Sequence, residues 1–154
     1  MLTIKLTKDF CSSSFKPKNV PAIFFVQSEY QTNLQVTHDY KPLRKPDHGY
    51  MVNLTCKLSA TKAGLEAYQL TVVQSGVFEI TADEEISQHV LEEAIAVHCL
   101  ERLFPYARTI ITQLLLSGGF PIVVLPQIDF KQRYASRTEA GEDAEAAASV
   151  RLSP

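Results

Sequence analysis

The chain has 154 residues, 45% of them hydrophobic, and its 15 Lys and Arg residues nearly balance its 17 Asp and Glu residues. This length and composition fit one globular domain with its own core and exclude an intrinsically disordered chain. The lack of a basic excess argues against a nucleic-acid-binding protein, because such proteins neutralise backbone phosphates with Lys and Arg.

The N-terminal residues alternate apolar side chains with Lys and Thr, so they lack the continuous apolar stretch of a signal peptide. The longest apolar stretch, residues 110–125, is interrupted by glycines, a glutamine and a proline, and it falls short of the roughly 20 residues that a membrane-spanning helix needs. We therefore expect a cytoplasmic protein without membrane insertion. The cysteines are widely spaced and odd in number, so we expect free thiols at Cys11, Cys56 and Cys99.

The first half of the chain shows the period-two alternation of half-buried antiparallel strands. The alternation is clear in residues 2–6 and 50–58, and a weaker pattern covers residues 30–36. A further run extends over residues 68–80, and Gly76 within it indicates either a bulge or a close backbone approach. These segments predict an antiparallel sheet.

The second half of the chain has helical periodicity. Residues 81–84, with the sequence TADE, have the form of a capping box and predict a helix that runs from there toward His98. Pro105 either kinks this helix or lies in the first turn of a second one, which ends at a glycine C-cap at residues 118–119. After an apolar connector, a short last helix begins near Phe130. Strands followed by helices predict an α+β fold with helices on one face of the sheet.

The composition changes near the C-terminus. Residues 136–154 contain five alanines and four acidic residues. We interpret residues 1–135 as the folded domain and residues 136–154 as a mostly disordered or transiently helical acidic, Ala-rich tail.

No motif in the sequence indicates catalysis or metal binding. The histidines do not occur in pairs four residues apart, and His98 and Cys99, as neighbours on a helix, point in different directions. The serines at 12–14 lack a glycine elbow and are interpreted as a flexible loop. The acids at 83–85 suit the first turn of a helix. We therefore expect neither an active site nor a metal site.

The apolar connector belongs to a stretch that resembles the bacterial protein-export chaperone family SecB. The resemblance is carried by LFPYAR at residues 103–108, followed by Gly118 and then Phe120 with Pro121. It extends over residues 72–134, is looser toward the N-terminus, and has no detailed match in the C-terminal tail. The resemblance implies four antiparallel strands with two main helices on one face, assembled as a homotetramer that is a dimer of dimers.

The resemblance also implies a holdase without enzymatic activity or cofactor. Such a protein binds unfolded or presecretory polypeptides in apolar grooves, keeps them competent for translocation and passes them to SecA. Asp9 matches one acid through which family members contact SecA, whereas Thr71 stands in the place of another. We expect a client-binding groove of which the apolar connector forms one wall. The residues predicted to line this groove are Phe24, Phe25, Phe120, Ile122, Leu125, Ile128 and Phe130.

Apolar residues of the long helix exceed what one helix buries against a four-stranded sheet. We therefore expect an oligomer interface at Leu103, Ile110, Ile111, Leu114 and Leu115. Roughly half of the apolar connector residues should also pack in the core or at that interface. Phe78 and Phe104 lie in strongly periodic segments and are predicted to be core residues.

Two alternatives remain. A SecB-like chaperone could serve a single partner such as an antitoxin, and the weakly acidic composition favours that variant over general export. An alternative of another class is a small thioesterase of the hot-dog type, in which a long helix packs on an antiparallel sheet. The order of elements argues against the enzyme, because here the helices follow the strands.

Overall fold

The structure, a computed structural model, describes residues 1–140 and 148–152, with side chains through Arg137. Four long strands come first: β1 (Thr3–Pro17), β2 (Tyr30–Pro42), β3 (Gly49–Lys62) and β4 (Leu65–Thr81), with a short 3-10 helix (Ala22–Phe25) between β1 and β2. The helices follow as α1 (Gln88–Glu93), a π-helical segment (Ala94–Cys99), α2 (Leu100–Ser117) and α3 (Phe130–Ala140). A last strand, β5 (Ala148–Leu152), completes the described part of the chain.

All neighbouring strands of the sheet are antiparallel, in the order β1-β4-β3-β2-β5. The first four strands confirm the predicted four-stranded antiparallel sheet. β5 adds a fifth strand at the free edge of β2. The α+β fold with helices after strands is therefore the one that the sequence predicts.

The core lies between one face of the sheet and the helices. Alternate residues of β3 and β4 are buried, as period-two patterning requires, and the inward side chains of α2 pack on them. Phe78 is fully buried and Phe104 is 4% exposed, so both predicted core residues are confirmed. Other large buried side chains of this core include Leu54, Leu58, Leu70, Ile80, Ile95 and Leu100.

The interpretation of residues 12–14 as a flexible loop is wrong. These serines lie within β1 and are paired with Val73, Val72 and Thr71 of β4. Serine has a weak preference for strands, but β4 offers hydrogen-bonding partners along its whole length, and this tertiary contribution overrides the local preference.

Gly76 lies at a close approach between sheet and helix. It is paired with Asp9 on one side and Val52 on the other. The register shifts of the sheet lie elsewhere, between Leu6 and Lys8 of β1 and between Ala60 and Thr61 of β3. A Cβ at Gly76 would lie 2.8 Å from the Phe78 ring and 3.1 Å from Leu103 Cδ2. Glycine is therefore needed here so that α2 can approach the sheet.

The predicted capping box at residues 81–84 is wrong. Thr81 still belongs to β4, opposite Thr3, and the helix begins seven residues later, at Gln88. Ser87 is the N-cap, and its Oγ accepts a hydrogen bond of 3.3 Å from the amide of Val90. Pairing with β1 holds Thr81 in an extended conformation and so prevents the helix from starting there.

The helical residues run without a break from Gln88 to Ser117, with Pro105 inside α2. The predicted C-cap is confirmed: Gly118 N–H donates to the Leu114 carbonyl at 2.9 Å, and Gly119 has a φ of +83°. No helix in the described part of the chain is long and apolar enough to cross a membrane.

The structure describes part of the predicted acidic tail. Residues 136–140 lie in α3, and residues 148–152 form β5. Residues 141–147 and 153–154 lie outside the described residues, so disorder there stays a prediction.

Candidate functional site

The connector between α2 and α3, residues 118–129, is held to the core at regular intervals. Every fifth side chain is buried: Phe120 is 4% exposed, Leu125 6% and Phe130, at the start of α3, 2%. Between these points the chain displays apolar side chains, with Ile122 51% and Val124 87% exposed. The connector is thus fixed in position while part of its apolar surface stays in contact with solvent.

An aromatic cluster holds the first of these anchor points. The ring centroid of Phe120 lies 4.8 Å from that of Tyr68, 5.0 Å from Phe24, 5.8 Å from Phe15 and 6.1 Å from Tyr30. Such tilted and edge-on pairs stabilise a cluster beyond the effect of area burial alone. The cluster joins β1, the 3-10 helix, β2 and β4 to the connector, so the sheet itself positions this end of the site.

Two cavities flank the connector. The first has a volume of about 340 Å³ and an apolar lining, formed by Glu29, Tyr30, Thr32, Tyr68 and residues 121–124. The second, of about 470 Å³, lies against the exposed face of α2 between Arg108, Thr109, Thr112, Gln113 and residues 122–125. Ile122, Val123 and Val124 line both, so one short apolar segment forms a wall shared by two adjacent depressions. We call this connector segment and its two cavities the connector groove.

A buried lysine contacts Tyr30, one of the residues that line the first cavity. Lys62 Nζ donates to the carbonyl of Ile23 at 3.2 Å and lies 4.5 Å from the centroid of the Tyr30 ring. The carbonyl and the aromatic face compensate the buried charge. This contact fixes the Tyr30 ring at the wall of the cavity.

The structure divides the predicted groove residues into two groups. Phe24, Phe25 and Ile122 have substantial exposed surface, at 41%, 80% and 51%. Phe120, Leu125 and Phe130 are buried instead, so their side chains support the groove from beneath. Ile128 is partly buried and lines a separate depression of about 650 Å³ between α2 and the end of the connector.

Sequence reasoning missed several lining residues. Tyr30 and Tyr68 were recognised only as strand residues, and Val124 is the most exposed apolar side chain of the connector. Period-two alternation places a residue on a face of the sheet but does not show that a connector from the other end of the chain crosses that face. No local signal marks Tyr30 or Tyr68.

The predicted interface residues of the long helix also fall into two groups. Leu103, Ile111 and Leu115 are fully buried within the single chain, whereas Ile110 and Leu114 are only partly buried. The exposed apolar side chains of α2 are Tyr106, at 48%, and Leu116, at 59%. Asp9, the predicted contact with SecA, lies on β1 opposite Gly76 and is partly buried.

The described residues contain no group of three or more His, Cys, Asp or Glu side chains placed to bind a metal ion. Cys11, Cys56 and Cys99 are free thiols, as predicted. Burial raises the pKa of Cys56 and of Cys99 to about 12, so neither thiol forms a reactive thiolate near neutral pH. What the site offers is apolar surface rather than a nucleophile.

Comparison with known proteins gives consistent results. The family model of SecB, described as preprotein translocase subunit SecB, matches residues 3–141. The protein-export protein SecB of Xanthomonas euvesicatoria pv. vesicatoria is 34% identical over 122 residues, which cover 79% of this chain and 69% of that protein. The corresponding protein of Alkalilimnicola ehrlichii is 32% identical over 124 residues, covering 80% of this chain and 63% of that protein.

Among solved structures, a SecB-like chaperone of Mycobacterium tuberculosis, in complex with a ChAD peptide from the HigA1 antitoxin, has a TM-score of 0.58. The match covers 82% of this chain and 87% of the other, with 16% sequence identity. At that identity the comparison supports a shared fold.

Proposed function

Because the chain belongs to the SecB family of protein-export chaperones, we propose that it is a cytoplasmic holdase that binds unfolded or presecretory polypeptides in the connector groove. In doing so it keeps them competent for translocation. The family is one of chaperones, so the prediction that the chain is not an enzyme is confirmed and the thioesterase alternative is wrong.

The observation that carries the proposal is the exposed apolar surface of a connector that is fixed to the core. Ile122 and Val124 lie between two cavities. Phe25, the residue after Phe24, adds a further exposed ring. Each methylene group that a client buries contributes about 0.8 kcal/mol, so several shallow contacts give affinity without sequence specificity. Unfolded chains of many sequences can satisfy such a surface.

The proposal assigns direct client contact to the exposed side chains and support to the buried ones. Phe24, Phe25, Tyr30, Ile122 and Val124 would contact the client. The side chains that would hold the groove in shape are Phe120, Leu125 and Phe130. Ile128 would extend the contact surface toward α3, along the third depression.

The test is a double substitution, Ile122→Ser with Val124→Ser, in the full chain. We expect affinity for reduced, carboxymethylated α-lactalbumin, a permanently unfolded protein, to fall about tenfold or more, because roughly 2 kcal/mol of apolar contact is lost. Binding is measured by fluorescence anisotropy, with size-exclusion chromatography to show that assembly is unchanged.

The matched control is Leu65→Ser with Val90→Ser. These side chains are 45% and 43% exposed and lie outside the cavities that flank the connector, so the control makes the same kind of apolar-to-serine change at exposed positions elsewhere. It should bind the probe as the unchanged chain does. If the connector variant also binds normally, the connector groove is not the client site.

A second candidate function is a chaperone dedicated to one partner, such as an antitoxin. The face of the sheet opposite the helices favours it, because alternation along the strands places Lys5, Lys8 and Lys57 there. Lys5 Nζ lies 3.9 Å from Glu79 Oε2 on that face, whereas Asp9 pairs with Gly76 and so lies on the helix side. SecA, which the resemblance expects to dock on acidic surfaces, would meet a face that carries lysines. The solved chaperone of similar fold carries an antitoxin peptide.

Affinity capture from the native cells separates the two candidates. General export predicts that many presecretory proteins are recovered together with SecA. A dedicated chaperone predicts one dominant partner and no SecA.

A further inference from the structure

The C-terminal strand β5 lies on the edge of the sheet that borders the connector groove. It is antiparallel to β2, with Ala148 opposite Val36 and Leu152 opposite Thr32. The chain therefore runs along β2 toward Thr32, which also lines the first cavity. β1 occupies the opposite edge of the sheet, so β2 is the edge strand on the side of this groove.

We propose that the edge of β2 from Thr32 to Val36 is a backbone-pairing subsite for extended polypeptide clients. The chain's own strand β5 occupies this subsite as an internal competitor. The proposal rests on the function proposed above and adds to it a second mode of contact and a means of regulation.

Backbone pairing is well suited to clients of many sequences. A polypeptide added to a strand edge gains main-chain hydrogen bonds whatever its side chains are, and pockets beside the edge accept its apolar residues. Thr32 belongs both to the β2 edge and to the lining of the apolar cavity. A client that extends the sheet at this position is thus led directly into the connector groove.

An uncovered β2 edge would also be a hazard for the chaperone itself. Exposed strand edges pair with other chains and promote aggregation, and proteins commonly cover them. Arg133 on α3 contributes to this protection, since its Nη2 donates to the Val36 carbonyl at 2.8 Å. β5 begins opposite that same residue. α3 and β5 together cover this part of the β2 edge.

β5 is short enough to be displaced. It pairs with five residues of β2, which has 13, so a longer client can start to pair beyond the covered positions and then replace β5. β5 stays tethered to α3 through residues 141–147 and returns when the client leaves. A short tether gives a millimolar effective concentration, which makes even a weak strand an efficient competitor.

The test is Val150→Pro in the full chain. Val150 is the middle residue of β5, opposite Leu34, and proline removes its amide hydrogen and restricts its φ. The matched control is Val150→Thr, which keeps the amide, the β-branched shape and the length of the tail.

Two measurements are made on each protein. Hydrogen exchange, followed by mass spectrometry on peptides that cover residues 30–42, should show faster exchange in Val150→Pro than in Val150→Thr. The affinity for reduced, carboxymethylated α-lactalbumin should rise about tenfold in Val150→Pro, which corresponds to an edge that is covered about nine-tenths of the time. Val150→Thr should match the unchanged chain in both.

The outcomes separate this inference from the proposed function. If all three proteins bind the probe with equal affinity, the holdase function stands and internal competition is wrong, whether or not exchange changes. If residues 30–42 exchange at the same rate in Val150→Pro as in the unchanged chain, the inference that β5 covers this edge is also wrong. If neither the unchanged chain nor either variant binds the probe, both the holdase function and the competition are wrong.

Discussion

His38 on β2 illustrates how its surroundings determine the protonation of a single side chain. Its pKa is lowered to about 4, first by burial and then by the nearby positive charges of Arg137 and Arg133, against the opposing effect of Asp39. Arg137 Nη1 lies 3.5 Å from His38 Nδ1. The folded chain therefore holds a neutral imidazole at neutral pH, beside the point where α3 meets β2.

This environment makes stability depend on pH. The pKa of His38 is near 6.5 in an unfolded chain and about 4 in the folded one, so between these values the unfolded chain binds more protons. The free energy of unfolding should fall as the pH is lowered from about 6.5 toward about 4. Urea unfolding measures the free energy of unfolding of both proteins at pH 7 and at pH 4.5. The decrease between these pH values should be larger in the unchanged chain than in His38→Gln, by roughly 1 to 3 kcal/mol. Equal losses in the two proteins would contradict this assignment.

The residue scale also shows what a sequence can reveal about packing. The sequence predicts either a bulge or a close backbone approach at Gly76, and the structure shows a close approach, because Phe78 and Leu103 close around it. Phe78 and Phe104 were predicted in the core from periodicity, and they are there. Their roles follow from local pattern. Tyr68, by contrast, meets Phe120 only through the folded chain, so no local pattern could indicate its role.

At the scale of elements, the start of the long helix is the most informative boundary. Ser87→Ala should lower the free energy of unfolding by about 1 kcal/mol, because Ser87 Oγ accepts from the amide of Val90. Thr81→Ala, at the end of β4, should change it by less than about 0.5 kcal/mol. Urea unfolding of the two variants measures both. If Thr81→Ala destabilised the chain more than Ser87→Ala, the capping box at residues 81–84 would be supported instead.

The elements show why some boundaries could not be predicted. The strands with clear alternation and the glycine C-cap after Ser117 were found, since each has a strong local signature. β1 extends to Pro17 through a run of serines only because β4 lies beside it. The helix starts at Gln88 because pairing with β1 extends β4 to Thr81. In both cases a partner distant in sequence sets the end of the element.

At the scale of the whole molecule, the chain retains apolar surface that a tetramer would use. Tyr106 and Leu116 on α2 are about half exposed, at 48% and 59%, and Ile110 beside them is only partly buried. We expect a tetramer in which this face of α2 contacts another subunit. Tyr106→Asp with Leu116→Asp should convert it to smaller species, measured by light scattering coupled to size-exclusion chromatography.

The control for assembly is Val90→Asp on α1, which places a charge at a similarly exposed apolar position, at 43%. It should leave the tetramer intact. An unchanged chain that elutes as a 17.2 kDa monomer at micromolar concentration would contradict the prediction.

The regular spacing of Phe120, Leu125 and Phe130 has a consequence for the evolution of the protein. Each anchor fastens the connector to the core, so the exposed side chains of Ile122 and Val124 between the first two anchors contribute little to the stability of the fold. Mutations at these two exposed positions are expected to be tolerated by the fold, whereas the anchors should change slowly. Natural selection can thus alter the range of accepted polypeptides by substituting exposed positions such as Ile122 and Val124, while the scaffold that displays them is inherited unchanged.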